Sequence, residues 1–208
     1  MTLEFFPFPF LVGILVLCLV LAVLGARKHS LSYLFCFSLF GIYLLLVAGV
    51  TLFPMPLPAG GNLIVTGREV SHILSQVNLI PLYYRDFKYL DPVFVFVREI
   101  VANIILTMPF GFGLSFVTRV RAKQLPFLAL AAGIGIETTQ LILCLAVQSS
   151  YRGVDINDAL VNALGVLAGY ELFKVFCRVY VSMTRRFKKE PKGLFAYLLR
   201  VSQNSMIA

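Results

Sequence analysis

A chain of 208 residues, 59% of them hydrophobic and only 13% charged, with a mean hydropathy of +0.88, carries more apolar side chain than a soluble domain can bury. Its net charge of +8 would suit nucleic acid, but the Lys and Arg residues fall between and after apolar runs, which excludes a nucleic-acid partner. The four cysteines, Cys18, Cys36, Cys144 and Cys177, each lie inside an apolar run without a CxxC pair, so neither a disulfide framework nor a zinc site is expected.

About 20 apolar residues in helical form cross a bilayer. Five segments meet that length: 8–25, 31–53, 93–117, 126–147 and 158–181. The first is preceded by no Lys or Arg and followed by Arg27-Lys28, the reverse of a cleavable signal, so it reads as an uncleaved helix. After the second, Pro54, Pro56, Pro58, Gly60 and Gly61 forbid continued helix and open the longest loop. Residues 68–77 have the mixed polarity of a short surface helix, which Asn78-Leu-Ile-Pro81 ends. Tyr83, Tyr84, Phe87 and Tyr89, interleaved with Arg85, Asp86 and Lys88, suit the headgroup layer, and an interfacial anchor is the simpler reading than a binding lid.

In the third span Arg98 and Glu99 lie near the start, and Pro109 removes a backbone donor beside Gly111 and Gly113, which predicts a kink. The fifth ends with Lys174 and Arg178, whose long side chains reach the interface. Arg185-Arg-Phe-Lys-Lys189 reads as an anchor that attracts anionic lipid, and 192–201 as a short amphipathic segment on the membrane surface. With the amino terminus outside, thirteen of the 18 basic residues fall in the cytoplasm. The expected fold class is therefore all-α: a polytopic membrane protein, a bundle of about five transmembrane helices, N-out and C-in. Residues 1–182 form the transmembrane domain with an outer loop at 54–92, and 183–208 a basic cytoplasmic tail.

The chemistry is expected in the polar residues of the last three spans. An ionisable side chain at mid-bilayer costs roughly 2.5–3.5 kcal/mol on insertion scales and persists when paired, wetted or functional. Glu137 lies near the middle of the fourth span, with Gln140 on the same face at i+3. Asp155 and Asp158 open the fifth helix, where carboxylates complement its positive end. Asn162, Gly165 and Gly169 continue that stripe at spacings of three and four, a face that admits close approach of a neighbour. Arg98, Asn103 and Arg152 complete a polar set gathered in the outer half of the membrane. A static network of helix-bridging hydrogen bonds is the plain alternative, but that many groups on one side favour a pocket. His29 and His72 lie on opposite sides and share no metal. No nucleophile elbow or phosphate-binding glycine loop occurs.

These residues also follow a known order. Asn78-Leu-Ile-Pro81, then Arg98 with Asn103 and Pro109-Phe-Gly111, then Glu137-Thr-Thr-Gln140, then Arg152-x-x-Asp155-x-x-Asp158-x-x-x-Asn162-x-x-Gly165-x-x-x-Gly169 resemble the pattern of the VanZ-like family over about residues 30–180. That family is named for a protein associated with resistance to the glycopeptide teicoplanin. The resemblance implies a bacterial cytoplasmic membrane and an envelope role, and supplies no reaction and no cofactor.

Three functions compete at this point. The first is a non-enzymatic envelope protein whose outward pocket (Asn78, Arg98, Asn103, Glu137, Gln140, Arg152, Asp155, Asp158, Asn162) binds membrane lipid, a lipid-linked wall precursor or a glycopeptide. Its arginines would hold phosphate or carboxylate, and its acids amino or sugar groups. The second is an enzyme on a lipid-linked substrate, using Glu137 as acid or base or holding Mg²⁺ among Glu137, Asp155 and Asp158. The third, an ion-coupled transporter, lacks matching polar residues in the inner half and an inverted repeat.

Overall fold

The computed structural model describes residues 2–57, 67–83, 92–187 and 191–207, with side chains in the bordering helices from 69, from 97, and up to 186 and 206. Tyr84, Arg85, Asp86, Phe87, Lys88, Tyr89, Pro58, Gly60, Gly61, Lys188, Lys189 and the Arg68 side chain, all used above, lie outside the described residues.

The chain is an all-α polytopic membrane protein. Among the described residues, five helices are long and apolar enough to cross a bilayer. Helix α1 (Phe8–Ala26) and α2 (Leu31–Leu52) form a hairpin turned at Ser30, whose hydroxyl accepts from the Tyr33 backbone N–H at 3.3 Å. A two-residue strand β1 (Thr2–Leu3) pairs antiparallel with β2 (Met55–Pro56), tying the amino terminus to the chain just past α2. A short helix α3 (Gly67–Ser75) buries Ile73. Helix α4 (Pro92–Val117) contains Pro109, and a 3₁₀ turn at Ala122–Gln124 leads into α5 (Leu125–Ala146). Helix α6 (Ile156–Phe187) runs past the last apolar residues into Arg185 and Arg186, because charged residues end burial in lipid but not helix. Helix α7 (Leu194–Ile207) covers the segment read as a surface helix and packs back on α6 and α4.

Burial ranks the helices. Half of the apolar window of α6 is enclosed by protein against 6% of that of α1, so α6 is the axis and α1 a peripheral, lipid-facing helix. Val166, Phe173 and Cys177 of α6 are fully buried. In lipid, helices gain little from apolar burial and associate through close packing. Gly165 and Gly169 supply it: a Cβ on Gly165 would lie 2.2 Å from the Thr107 Oγ1, and one on Gly169 1.9 Å from the Met108 carbonyl oxygen. At one end of this seam Phe112, Phe116, Phe173 and Phe176 meet edge to face. At the other end α6 begins with Asp155, where the polar residues gather.

Candidate functional site

The start of α6 is built by Asp155. Its Oδ1 accepts from the Asn157 backbone N–H at 2.7 Å, a side-chain cap on a donor that the helix leaves unsatisfied. A second segment is fastened to the same turn. The Asn78 N–H donates to the Val154 carbonyl and the Ile156 N–H donates to the Asn78 carbonyl, both at 2.9 Å, a single parallel bridge between an irregular strand and the helix start. The Asn78 Nδ2 reaches both Asp155 carboxylate oxygens, at 3.0 and 3.1 Å, and the Tyr83 carbonyl at 2.7 Å. Its Oδ1 accepts from the Ile80 N–H, the turn expected of Asn before Pro81. Asn157 completes the join: its Oδ1 accepts from the Leu82 N–H at 2.7 Å and its Nδ2 donates to the Tyr83 carbonyl at 3.0 Å.

Glu137 closes the arrangement from α5. It is 7% exposed, and its Oε2 accepts from the Asp155 backbone N–H at 2.9 Å. On the α4 side, the Asn103 Nδ2 donates to the Asp158 Oδ1 at 2.9 Å. One turn deeper, the Thr107 hydroxyl lies 2.8 Å from the carbonyls of both Asn103 and Asn162. Asn162 is 2% exposed and its Oδ1 has no hydrogen-bond partner among the described residues. Asn78, Asn103, Glu137, Asp155, Asp158 and Asn162 are thus brought to one end of the α4–α5–α6 seam.

The other expected residues go elsewhere. Gln140 and Arg152 cap α2, whose last carbonyls have no helical partner. The Arg152 Nη2 donates to the Val50 carbonyl at 3.2 Å and to that of Phe53, the Gln140 Nε2 to that of Thr51 at 3.0 Å, and the Tyr151 hydroxyl to that of Leu52 at 3.1 Å. Four successive carbonyls are satisfied by side chains, and a cation complements the negative end of the helix dipole. Withdrawal from water raises the Tyr151 phenol above its ordinary pKa. Arg98 is exposed and makes no hydrogen bond or ion pair with a described residue.

The electrostatic outcome is one-sided. Among the described residues the ion pair is Lys174 with Glu171 at 3.1 Å, far along α6, and no Lys or Arg pairs with Glu137, Asp155 or Asp158. Nor do three or more His, Cys, Asp or Glu side chains converge as metal ligands among the described residues, so the shared Mg²⁺ cradle considered from the sequence is not formed. Asn157, Thr107, Thr51 and Tyr151 were not singled out from the sequence. The Asp-x-Asn-Asp run at a helix start was the available signal for Asn157; the others are hydroxyl residues in or beside apolar helices with no local mark.

The VanZ/LLP1 family model matches residues 40–177, about two thirds of the chain. The protein belongs to the VanZ-like family. That match runs from the middle of α2 to Cys177 of α6 and so contains the VanZ-like carboxylate cluster and the α2 cap alike. No curated protein and no solved structure matches the chain.

Proposed function

We propose that this VanZ-like protein binds an amphipathic molecule of the bacterial cell envelope at the mouth formed by Asp155, Asp158 and Glu137. The observation that carries the reading is an excess of acceptors over donors. Asp155, Asp158, Glu137 and the Asn162 Oδ1 bring oxygen lone pairs, while the side-chain amides of Asn78, Asn103 and Asn157 and the backbone N–H groups of Asp155 and Asn157 are already engaged. A ligand that fits supplies donors, as an ammonium group or sugar hydroxyls, and a cation compensates the local charge. Arg98 and Arg152 do not enter as phosphate clamps, one being exposed and the other held by α2.

An apolar part of the ligand has a place to go. A cavity of about 370 Å³ between α2, α4 and α5 shares Thr107 with the polar cluster and is otherwise lined mainly by apolar side chains such as Val47, Phe110 and Ile136. Candidates with both parts are aminophospholipids, lipid-linked wall precursors and lipoglycopeptides such as teicoplanin, and sequestration of the last would contribute to antibiotic resistance. The mouth faces outward in a cytoplasmic membrane of N-out, C-in topology, a placement supported by the basic residues gathered at the opposite end of the bundle.

The direct experiment measures binding of teicoplanin and of phosphatidylethanolamine to the purified protein and to Asp158→Asn and Glu137→Gln. At least tenfold weaker binding by the variants is expected. Equal affinity in all three proteins, or none in any, removes the proposal.

A further inference from the structure

A second cleft lies at the opposite end of the bundle. It has a volume of about 370 Å³ and is walled by Cys36 and Phe40 of α2, Pro109 and Phe116 of α4, Phe176 of α6 and Leu198 of α7. Its wall along α4 runs from Pro109 to Phe116, about 10 Å at 1.5 Å per residue, from the middle of the span to its last turn. That is the depth of most of one leaflet. Leu39, on its edge, is 54% exposed, so the cleft opens sideways toward lipid. Helix α7 holds its floor: the Tyr197 hydroxyl donates to the Phe116 carbonyl and the Tyr180 hydroxyl to that of Phe195.

The charge at this end is predominantly positive, with Glu190 of the α6–α7 connection set among basic residues. The α1–α2 turn carries Arg27 and Lys28, the α4–α5 turn Arg119, Arg121 and Lys123, and α7 with its lead-in Lys192 and Arg200, all exposed. Those two turns and α7 contain no Asp or Glu. Tyr33 at the start of α2 and Tyr197 on α7 approach to 6.5 Å between ring centres, which draws the α1–α2 turn and α7 to the same end of the cleft. An apolar, leaflet-deep slot under a rim of exposed cations is complementary to a phospholipid with an anionic headgroup.

We infer that this cleft binds one anionic phospholipid from the leaflet on the basic side, an acyl chain lying between α2 and α4 and the phosphate on the rim formed by Arg119, Arg121 and Arg200. The site differs in location and lining from the Asp155 mouth, so each proposal stands without the other.

The chain contains no Trp, so a single introduced indole reports on one place. Leu39→Trp at the cleft edge and Leu19→Trp on the lipid face of α1 are reconstituted in phosphatidylcholine vesicles. Each receives the same small mole fraction of phosphatidylglycerol or phosphatidylcholine brominated on its acyl chains. Quenching at Leu39→Trp is expected to be several-fold stronger with the anionic lipid and equal for the two lipids at Leu19→Trp. Adding Arg119→Gln, Arg121→Gln and Arg200→Gln should abolish the preference, and the three Arg→Lys changes should retain it. Equal quenching by both lipids at Leu39→Trp, the same preference at both positions, or a preference that outlives the three glutamines overturns the inference.

Discussion

The Glu137 carboxylate accepts a hydrogen bond from the backbone N–H of Asp155 at 2.9 Å, so the deepest acid of α5 holds the residue that caps α6. Glu137→Leu removes the acceptor and leaves a half-buried donor unsatisfied, at a cost of about 1–3 kcal/mol. Glu137→Gln keeps an oxygen for that donor and should lose under about 1 kcal/mol. Unfolding of the purified protein in detergent measures both; equal losses would mean that the hydrogen bond contributes nothing.

Asn78 gives its amide to both oxygens of Asp155. Asn78→Ala removes that donor, whereas Asn78→Asp sets a second carboxylate against the first. The acidic variant should be the less stable of the two at neutral pH. It should recover as the pH falls and its new carboxyl takes up a proton. Limited proteolysis across that pH range provides the readout, and a ranking with Asn78→Ala the worse at neutral pH would contradict the account.

Arg152 and Arg98 are expected to separate. Arg152→Ala strips the Val50 and Phe53 carbonyls of their cation and should cost about 1–3 kcal/mol. Arg98→Ala, at an exposed side chain, should stay within about 0.5 kcal/mol. Thermal unfolding of the two variants side by side checks this; comparable destabilisation would refute the division of roles.

Gly169→Ala places a methyl group against the Met108 carbonyl and should destabilise by about 1–3 kcal/mol, the range for overpacking. Gly135→Ala on α5, where a Cβ meets nothing, is the control and should be neutral or better. Unfolding in detergent distinguishes them.

Tyr197 gives a pH dependence with a defined sign. Burial pushes its pKa up to about 12, against about 10 for an exposed phenol. Above pH 10 the unfolded chain releases a proton that the native state keeps. The stabilisation is therefore complete below that pH and is lost as the pH rises through about 12. Tyr197→Phe should flatten this part of the stability profile, and an unchanged profile would disprove it.

What the residues disclosed in advance follows from how far each signal reaches. The spans were legible because lipid imposes a length on apolar runs, and 8–25 against Phe8–Ala26 differs by one residue. The extension of α6 to Phe187 was not, since a helix that leaves the membrane is no longer limited by apolar content. Glu137, Asp155 and Asp158 stood out because charge in an apolar run is costly. Their partners did not: that Gln140 and Arg152 serve the end of α2 depends on which helices are neighbours, and i+3 spacing between Glu137 and Gln140 says only that they share a face. Both do face inward, but Glu137 reaches the start of α6 and Gln140 the end of α2.

The join between Asn78 and the start of α6 uses main-chain groups on both sides, with Val154 and Ile156 as its partners. Connecting segments can then lengthen, shorten or be exchanged without moving the acids, since the cost of closing a loop grows only slowly with its length. New sequence can be grafted before and after that clasp while the helices beneath keep their register.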